Sequence, residues 1–386
     1  MKIALVCGHF ISSMGYVEVY YAKELARQGH EVEVFTSAVI PSYVRSFIKE
    51  ELEIGATIIE GYSIQRLPHK FSVGQMIKAK GLTNAVDSFM PELIIAIGLG
   101  KLFPEPVFKL GGKYPIITLL GDNSESQESM NAKPLVDTVK QALKKRVYKK
   151  AVKQSKQLFS YTPESLEVVQ GIVGKRLAAI AKEKNHEISL GFDEQKFFFD
   201  SEERDEVRRK LKIGDTDKVM VTATRIIPQK QLEEVVDEVD RINVSGGSLK
   251  YLLIGFLDDE YGRQLKSYIN DKRSRDQFIC LPFMDFEMVR KHYSAADFAH
   301  FPSAVISIFE AMGTGLPVIL PNHRNVSHIL DDKNGVYYNN TLAEVLGSYL
   351  QNLEEGVHVE REELLKYNSE RYSYQQLVKQ VLSLMV

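Results

Sequence analysis

The chain has 386 residues, 44% of them hydrophobic and 26% charged, with a formal net charge of −2. That length holds two ordinary domains with separate cores, and the composition is that of a globular protein. A balance so close to neutrality excludes a global attraction to nucleic acid or to a membrane surface.

Met1-Lys2 leads straight into IALVC, a short first strand rather than a secretory leader. The helix-patterned VEVYYAKELARQ follows, with Gly29 as its stop, and HEVEVFTS reads as a second strand. ELIIAIGLG and YPIITLLG are apolar runs ending in glycine, as buried parallel strands do, and LFSYT is a shorter candidate. The alternation restarts after about residue 190 with the strand DKVMVTATR and the amphipathic helix QLEEVVDEVDRI. LKYLLIG, QFICLPF, DFAHFPS and LPVILP are further strands, DEYGRQLKSYIND is a helix, and SYQQLVKQVLSLM is a last amphipathic helix. The pattern predicts an α/β protein of two doubly wound parallel-sheet domains, joined near Ile188–Phe197 and facing a central cleft. In such sheets ligands bind beyond the carboxyl ends of the strands. Cys7 and Cys280, the two cysteines, both lie in apolar runs and read as small buried hydrophobes. No apolar run approaches the roughly 20 residues that span a bilayer. The expected location is cytoplasmic, or peripheral on the cytoplasmic face of a membrane.

Several common sites are absent from the sequence. The Gly-x-Gly-x-x-Gly fingerprint fails after the first strand (CGHFISSMG) and again at Gly98-Leu99-Gly100, where Phe103 takes the third position. There is no Walker A sequence, no Cys-x-x-Cys and no His-Glu-x-x-His. Asp215-Thr216-Asp217 precedes a strand and reads as a polar turn rather than a metal-diphosphate motif. No obligatory metal is expected. His323 and His328 read as surface or supporting groups, and His9, just after the first strand, as a turn histidine.

Four features fall at strand ends in the second half. Arg225 and Lys230, in TATRIIPQKQL, lie between a strand ending near Thr224 and a helix starting near Gln231. A guanidinium fork and a mobile ammonium beside a helix N-terminus suit a diphosphate, though each cation alone reads equally as a solvated surface group. Gly255 ends the next strand, either to admit a ligand to the backbone or simply to turn the chain. In FPSAVISIFEAMGTGLPVIL a short helix must begin between Ala304 and Ser307, and Glu310 is the lone carboxylate of an apolar run. Glu310 suits the two hydroxyls of a ribose. Ser307-Ile308-Phe309-Glu310 also fits a capping box, so both readings stand. Pro282 and Phe283 follow QFICL and can wall a base pocket.

From Lys140 to Lys156 the chain carries eight Lys or Arg and no acid, with Leu143, Val147 and Ala151 on one helical face. This is a helix packed on its sheet with a cationic back, which either is simply solvated or meets anionic lipid headgroups.

Taken together these residues resemble the retaining GT-B glycosyltransferases known as glycosyl transferases group 1, or family four, over most of the chain. Gly15-Tyr16-Val17-Glu18 with LARQGHEVEVFTS, Ser189-Leu190-Gly191-Phe192-Asp193 with Phe197, Thr224-Arg225 through Lys230, SAADFAHFPS with EAMGTGLPVIL, and DDKNGVYY carry the likeness in order and spacing. The resemblance implies an acceptor-side domain over residues 1–187, a donor domain over 188–371, and a helix over 372–386 packed back on the first. It implies transfer of a sugar from a UDP- or GDP-type donor to a hydroxyl of a glycan or lipid-linked acceptor, in polysaccharide or glycolipid synthesis. No cofactor is expected. Arg225 and Lys230 would hold the donor diphosphate and Glu310 the ribose. Gly15, Thr224, Gly255, Pro282, Phe283, Ser303, Ile306 and Ser307 would line the donor.

Three positions depart from the family pattern. Pro302 stands where the first glutamate of the Glu, seven residues, Glu motif belongs, and the loop to Glu310 is about four residues short. Gly121-Asp122-Asn123 replaces a histidine after the YPIITLL strand, so Asp122 either takes over its catalytic role or makes a turn. Gly15-Tyr16 replaces a Gly-Gly pair. Two other readings of the fold remain, a nucleotide-sugar epimerase and a non-catalytic nucleotide-sugar-binding protein.

Overall fold

The computed structural model describes residues 1–41, 45, 48, 51–73, 75–121, 134–356 and 359–385. The chain divides into two compact units, Met1–Ser189 with Leu377–Val386, and Leu190–Gln376.

The strands of the first unit are β1 (Lys2–Cys7), β2 (Glu31–Ser37), β3 (Gly55–Ile59), β4 (Tyr62–Leu67), β5 (His69–Val73), β6 (Met76–Ala79), β7 (Leu93–Ile97), β8 (Ile116–Leu120), β9 (Gln157–Ser160) and β10 (Asn185–Glu187). β5 and β6 pair with each other as an antiparallel hairpin. The others form one sheet in the order β10-β9-β8-β7-β1-β2-β4-β3, parallel throughout except for β3 against β4. Ile3, Ala4, Leu5 and Val6 of β1 are wholly buried, the mark of a parallel strand covered on both faces. The chain winds from β1 to β2 on one side and resumes at β7 on the other, so its winding reverses between β1 and β7.

The basic run lies on the helix Pro134–Gln154, except for Lys156 just beyond its end. Val147, Tyr148, Ala151 and Val152 are buried, whereas Leu143, expected on the same face, is 36% exposed. Among the described residues of the run, burial begins at Val147. Arg146 and Lys150 both pair with Glu105.

The second unit contains β11 (Lys218–Ala223), β12 (Leu249–Phe256), β13 (Phe278–Pro282), β14 (Phe298–His300), β15 (Val318–Pro321) and β16 (Gly335–Tyr338). They form an all-parallel sheet in the order β13-β12-β11-β14-β15-β16. Alternate residues of β11 go to opposite faces, Val219, Val221 and Ala223 into one apolar cluster and Met220 into the other. The sheet therefore has a core on each side. The chain winds outward from β11 to β13, then restarts at β14 beside β11, which puts the reversal between β11 and β14. Asp215–Asp217 is a turn before β11, where Asp217 accepts from the Gly214 N–H at 2.8 Å and the Ser248 hydroxyl at 2.7 Å. Among the described residues no helix is long and apolar enough to cross a membrane.

Candidate functional site

Two loops flank the reversal point of the second sheet. After β11 the loop is anchored by Ile226, which is fully buried. It closes in a short 3-10 turn, Pro228–Lys230, before the helix Leu232–Val244. Proline opens that turn because its fixed φ suits the first position and its missing N–H is not needed there. The turn aims Lys230 at the neighbouring loop, where its ammonium donates to the hydroxyl of Ser303, beyond β14. Two residues far apart in sequence thus meet across the gap between β11 and β14. Arg225, on the first loop, is exposed, and its guanidinium has no hydrogen bond or ion pair among the described residues.

Gly255 sits at the irregularity near the end of β12, with φ +119°. A Cβ there would stand 1.9 Å from the carbonyl oxygen of Thr224. The close approach that demands glycine is therefore made by the chain's own Thr224 backbone, which this contact holds beside β12. Pro282 and Phe283 emerge from β13 on the same edge, two strands from β11. Phe283 is 51% exposed, and its N–H donates to Phe256 at 3.0 Å.

The second loop leads into the short helix Ser307–Met312. Ile306 stands at its N-cap with helical backbone angles and no side-chain cap, so the capping box suggested by Ser307 and Glu310 is not the device that starts this helix. The N–H groups of Val305, Ile306 and Ser307 have no backbone acceptor among the described residues, as expected at a helix start. Glu310 is partly exposed at the residue level. Burial pushes its pKa up to about 7, and the Ser307 hydroxyl and the charge of Lys196 offset this only in part.

The site holds residues that the sequence reading missed. Lys196 lies 4.4 Å from the centre of the Phe286 ring, and Phe286 is itself 46% exposed. The Tyr293 hydroxyl donates to the Ser307 carbonyl at 3.3 Å. Lys196 belongs to the segment after Asp193, and only the fold brings it to Glu310. In EAMGTGLPV, a Cβ on Gly313 would stand 2.5 Å from the Phe192 ring, so close packing accounts for that glycine. Of the remaining expected residues, Gly15 lies in the first unit, between β1 and the helix Val17–Arg27. Asp122 lies outside the described residues.

A doubly wound sheet with cations and a carboxylate gathered at its reversal point defines the second unit as a Rossmann-like α/β domain. Residues 203–371 match the model of the family described as glycosyl transferases group 1. Over 159 residues the chain is 24% identical to the amylovoran biosynthesis glycosyltransferase AmsK of Erwinia amylovora, a stretch covering 39% of this chain and 36% of that protein. Anabaena HepE, solved in complex with UDP, superposes over 100% of this chain and 99% of its own at a TM-score of 0.73 and 15% identity. Sucrose-phosphate synthase from Thermosynechococcus elongatus covers 100% and 98% at a TM-score of 0.67 and 15% identity. WaaG, a glycosyltransferase involved in lipopolysaccharide biosynthesis, covers 100% and 99% at a TM-score of 0.63 and 14% identity. The fold is GT-B, and within it residues 203–371 are the part that matches the group 1 glycosyl transferase model.

Proposed function

We propose that the protein transfers a sugar from a nucleoside-diphosphate donor to a hydroxyl of a glycan or lipid-linked acceptor, with retention at the anomeric carbon, in the assembly of a polysaccharide or glycolipid. The observation that carries this reading is the Lys230–Ser303 contact across the reversal point, with Arg225 on the same loop exposed and without a partner among the described residues. Negative charge grows on the diphosphate as the bond to the sugar breaks. Arg225 and Lys230 neutralise it, and the N–H groups of Val305–Ser307, which have no backbone acceptor among the described residues, add donors. A leaving phosphate oxygen takes the proton of the attacking hydroxyl, so no side-chain nucleophile is needed. Glu310 accepts hydrogen bonds from the ribose, and the exposed Phe283 offers an apolar wall for the base.

HepE bound to UDP, the amylovoran biosynthesis role named for AmsK and the lipopolysaccharide biosynthesis role named for WaaG support this donor and product class. The exposed cations of the helix Pro134–Gln154 support peripheral contact with an anionic membrane, on the cytoplasmic side where nucleotide sugars are made. Lys145, Lys149 and Lys153 line one groove there with Arg146 and Lys150.

The reading is tested by a thermal-shift panel of UDP, GDP and ADP and their hexose forms. At a hundredfold excess over Kd, one of them should stabilise the protein by about 2.7 kcal/mol. No shift with any of them defeats the reading. A shift without formation of a glycoside from any acceptor favours the epimerase or the binding protein.

A further inference from the structure

The first unit has its own reversal point, between β1 and β7, and a lysine stands on it. After β7 the chain passes through Gly98 at φ 74°, a single 3-10 turn at Leu99–Lys101, and Leu102 at φ 62°. Leucine takes a left-handed backbone only where the surrounding structure imposes it. Here the result is that the Lys101 stem folds back over the strand ends. A Cβ on Gly8, just beyond β1, would lie 3.3 Å from the Lys101 Cβ and 3.5 Å from its Cδ. One on Gly98 would lie 3.4 Å from that Cδ. The lysine therefore fills the space that two bare glycines leave open.

Lys101 is partly exposed, and its ammonium has no hydrogen bond or ion pair among the described residues. Its neighbour His9 offers no balancing charge. The His9 Nδ1 is 3.0 Å from the Val39 carbonyl, so that nitrogen carries the proton of a neutral ring. Burial, and then the charge of Lys101, push its pKa down to about 4. Glu18, in the first turn of the helix Val17–Arg27, makes no ion pair with Lys101 among the described residues. A partly exposed ammonium with no ion pair among the described residues, carried at the carboxyl edge of a parallel sheet, is a place for an anion.

We propose that Lys101, its stem packed over Gly8 and Gly98 at the ends of β1 and β7, forms an oxyanion subsite in the first unit that grips an anionic group carried by the acceptor. Two acceptor classes present such a group, a phosphorylated carrier and an acidic sugar with a carboxylate. The acceptor assignment rests on the transferase reading, whereas anion binding at Lys101 does not and is tested without it.

The full chain is acetylated briefly with an amine-reactive ester, and each lysine is quantified by mass spectrometry in chloride, phosphate and glucuronate at equal ionic strength. Lys101 should be protected several-fold by phosphate, by glucuronate or by both, while exposed Lys78 and Lys109 are not. Protection by phosphate alone assigns a phosphorylated acceptor, and protection by glucuronate alone an acidic sugar. Equal labelling in all three salts overturns the proposal, whatever the nucleotide panel shows. With an anionic acceptor, Lys101→Met should raise KM about tenfold or more, the worth of one charge-assisted hydrogen bond, with kcat and nucleotide affinity unchanged. Lys101→Arg should restore most of it, and an unchanged KM in Lys101→Met also overturns the proposal.

Discussion

Two charged regions of the second unit treat their charges in opposite ways. Around the C-terminus of the helix Phe286–Ala295, Arg204, Arg208 and Arg361 converge on the carbonyls of residues 293–296 and on Asp297. Arg361 alone donates to Tyr293 at 2.7 Å, Ser294 at 3.1 Å, Ala296 at 2.9 Å and Thr314 at 2.9 Å. Arg204 reaches the carbonyls of 294–296 and closes on Asp297 at 2.7 Å. Asp297 in turn accepts from the Val219 N–H at 2.8 Å. At the reversal point, by contrast, Arg225 has no partner among the described residues, and the Glu310 carboxyl is held near pH 7 by burial. Four backbone carbonyls hold Arg361 although burial and the charge of Arg204 lower its pKa to about 9, whereas no described residue pairs with Arg225, which the proposed function assigns to a ligand.

That contrast makes the arginine cluster the more sensitive to truncation in stability. Arg361→Met removes its donors from the carbonyls of Tyr293 and Thr314, while Ser294 and Ala296 keep Arg204, and each buried acceptor left unsatisfied costs about 1–3 kcal/mol. A urea midpoint lowered accordingly is expected, with nucleotide affinity of the folded protein unchanged. Near-normal stability would mean that the cluster is not what closes this helix end.

Arg225→Ala should do the reverse. Its stability should match the parent within about 0.5 kcal/mol, as for an ordinary surface change. Its turnover should fall about 10²–10³-fold, as when one preorganised charge-stabilising donor is removed. A stable mutant with full turnover would remove Arg225 from the site.

Glu310→Gln sharpens the comparison further, because the two effects have opposite signs. The folded-state pKa is raised above the ordinary 4.5, so the folded protein binds the proton more tightly than the unfolded one. The stability this group contributes is full below pH 4.5 and is lost as pH rises through about 7. Glutamine stays neutral. The mutant should gain on the order of 2 kcal/mol over the parent at pH 8 and nothing at pH 4, read from thermal midpoints. Its nucleotide affinity should fall. Equal stability at pH 8 would show that the carboxylate is well solvated after all.

Much of this was legible in the sequence where a signal is local. The apolar runs around Ile3–Val6, Leu93–Ile97, Ile116–Leu120 and Lys218–Ala223 became the parallel strands expected of them. Arg225 and Lys230 could be placed at a strand end because the strand before them and the helix after them are both strongly patterned. The antiparallel β3 and the β5–β6 hairpin were not foreseen, since most of β3 is solvent-exposed and shows no alternation. The Ser307–Glu310 spacing suggested a cap that the fold does not use, because Ile306 already lies in helical conformation. Lys196 and Tyr293 reach Glu310 through tertiary packing alone, which no spacing encodes. The place where the winding reverses depends on strand order, and strand order is invisible until the sheets are assembled.

The measurement that tests the account most directly is calorimetric titration of the preferred nucleoside diphosphate into the parent chain, Arg225→Ala and Lys230→Ala. The account predicts one saturable site in the parent, weakened about tenfold or more in each mutant, since each removes a charge-assisted contact to the diphosphate. Equal affinity in all three proteins would contradict it.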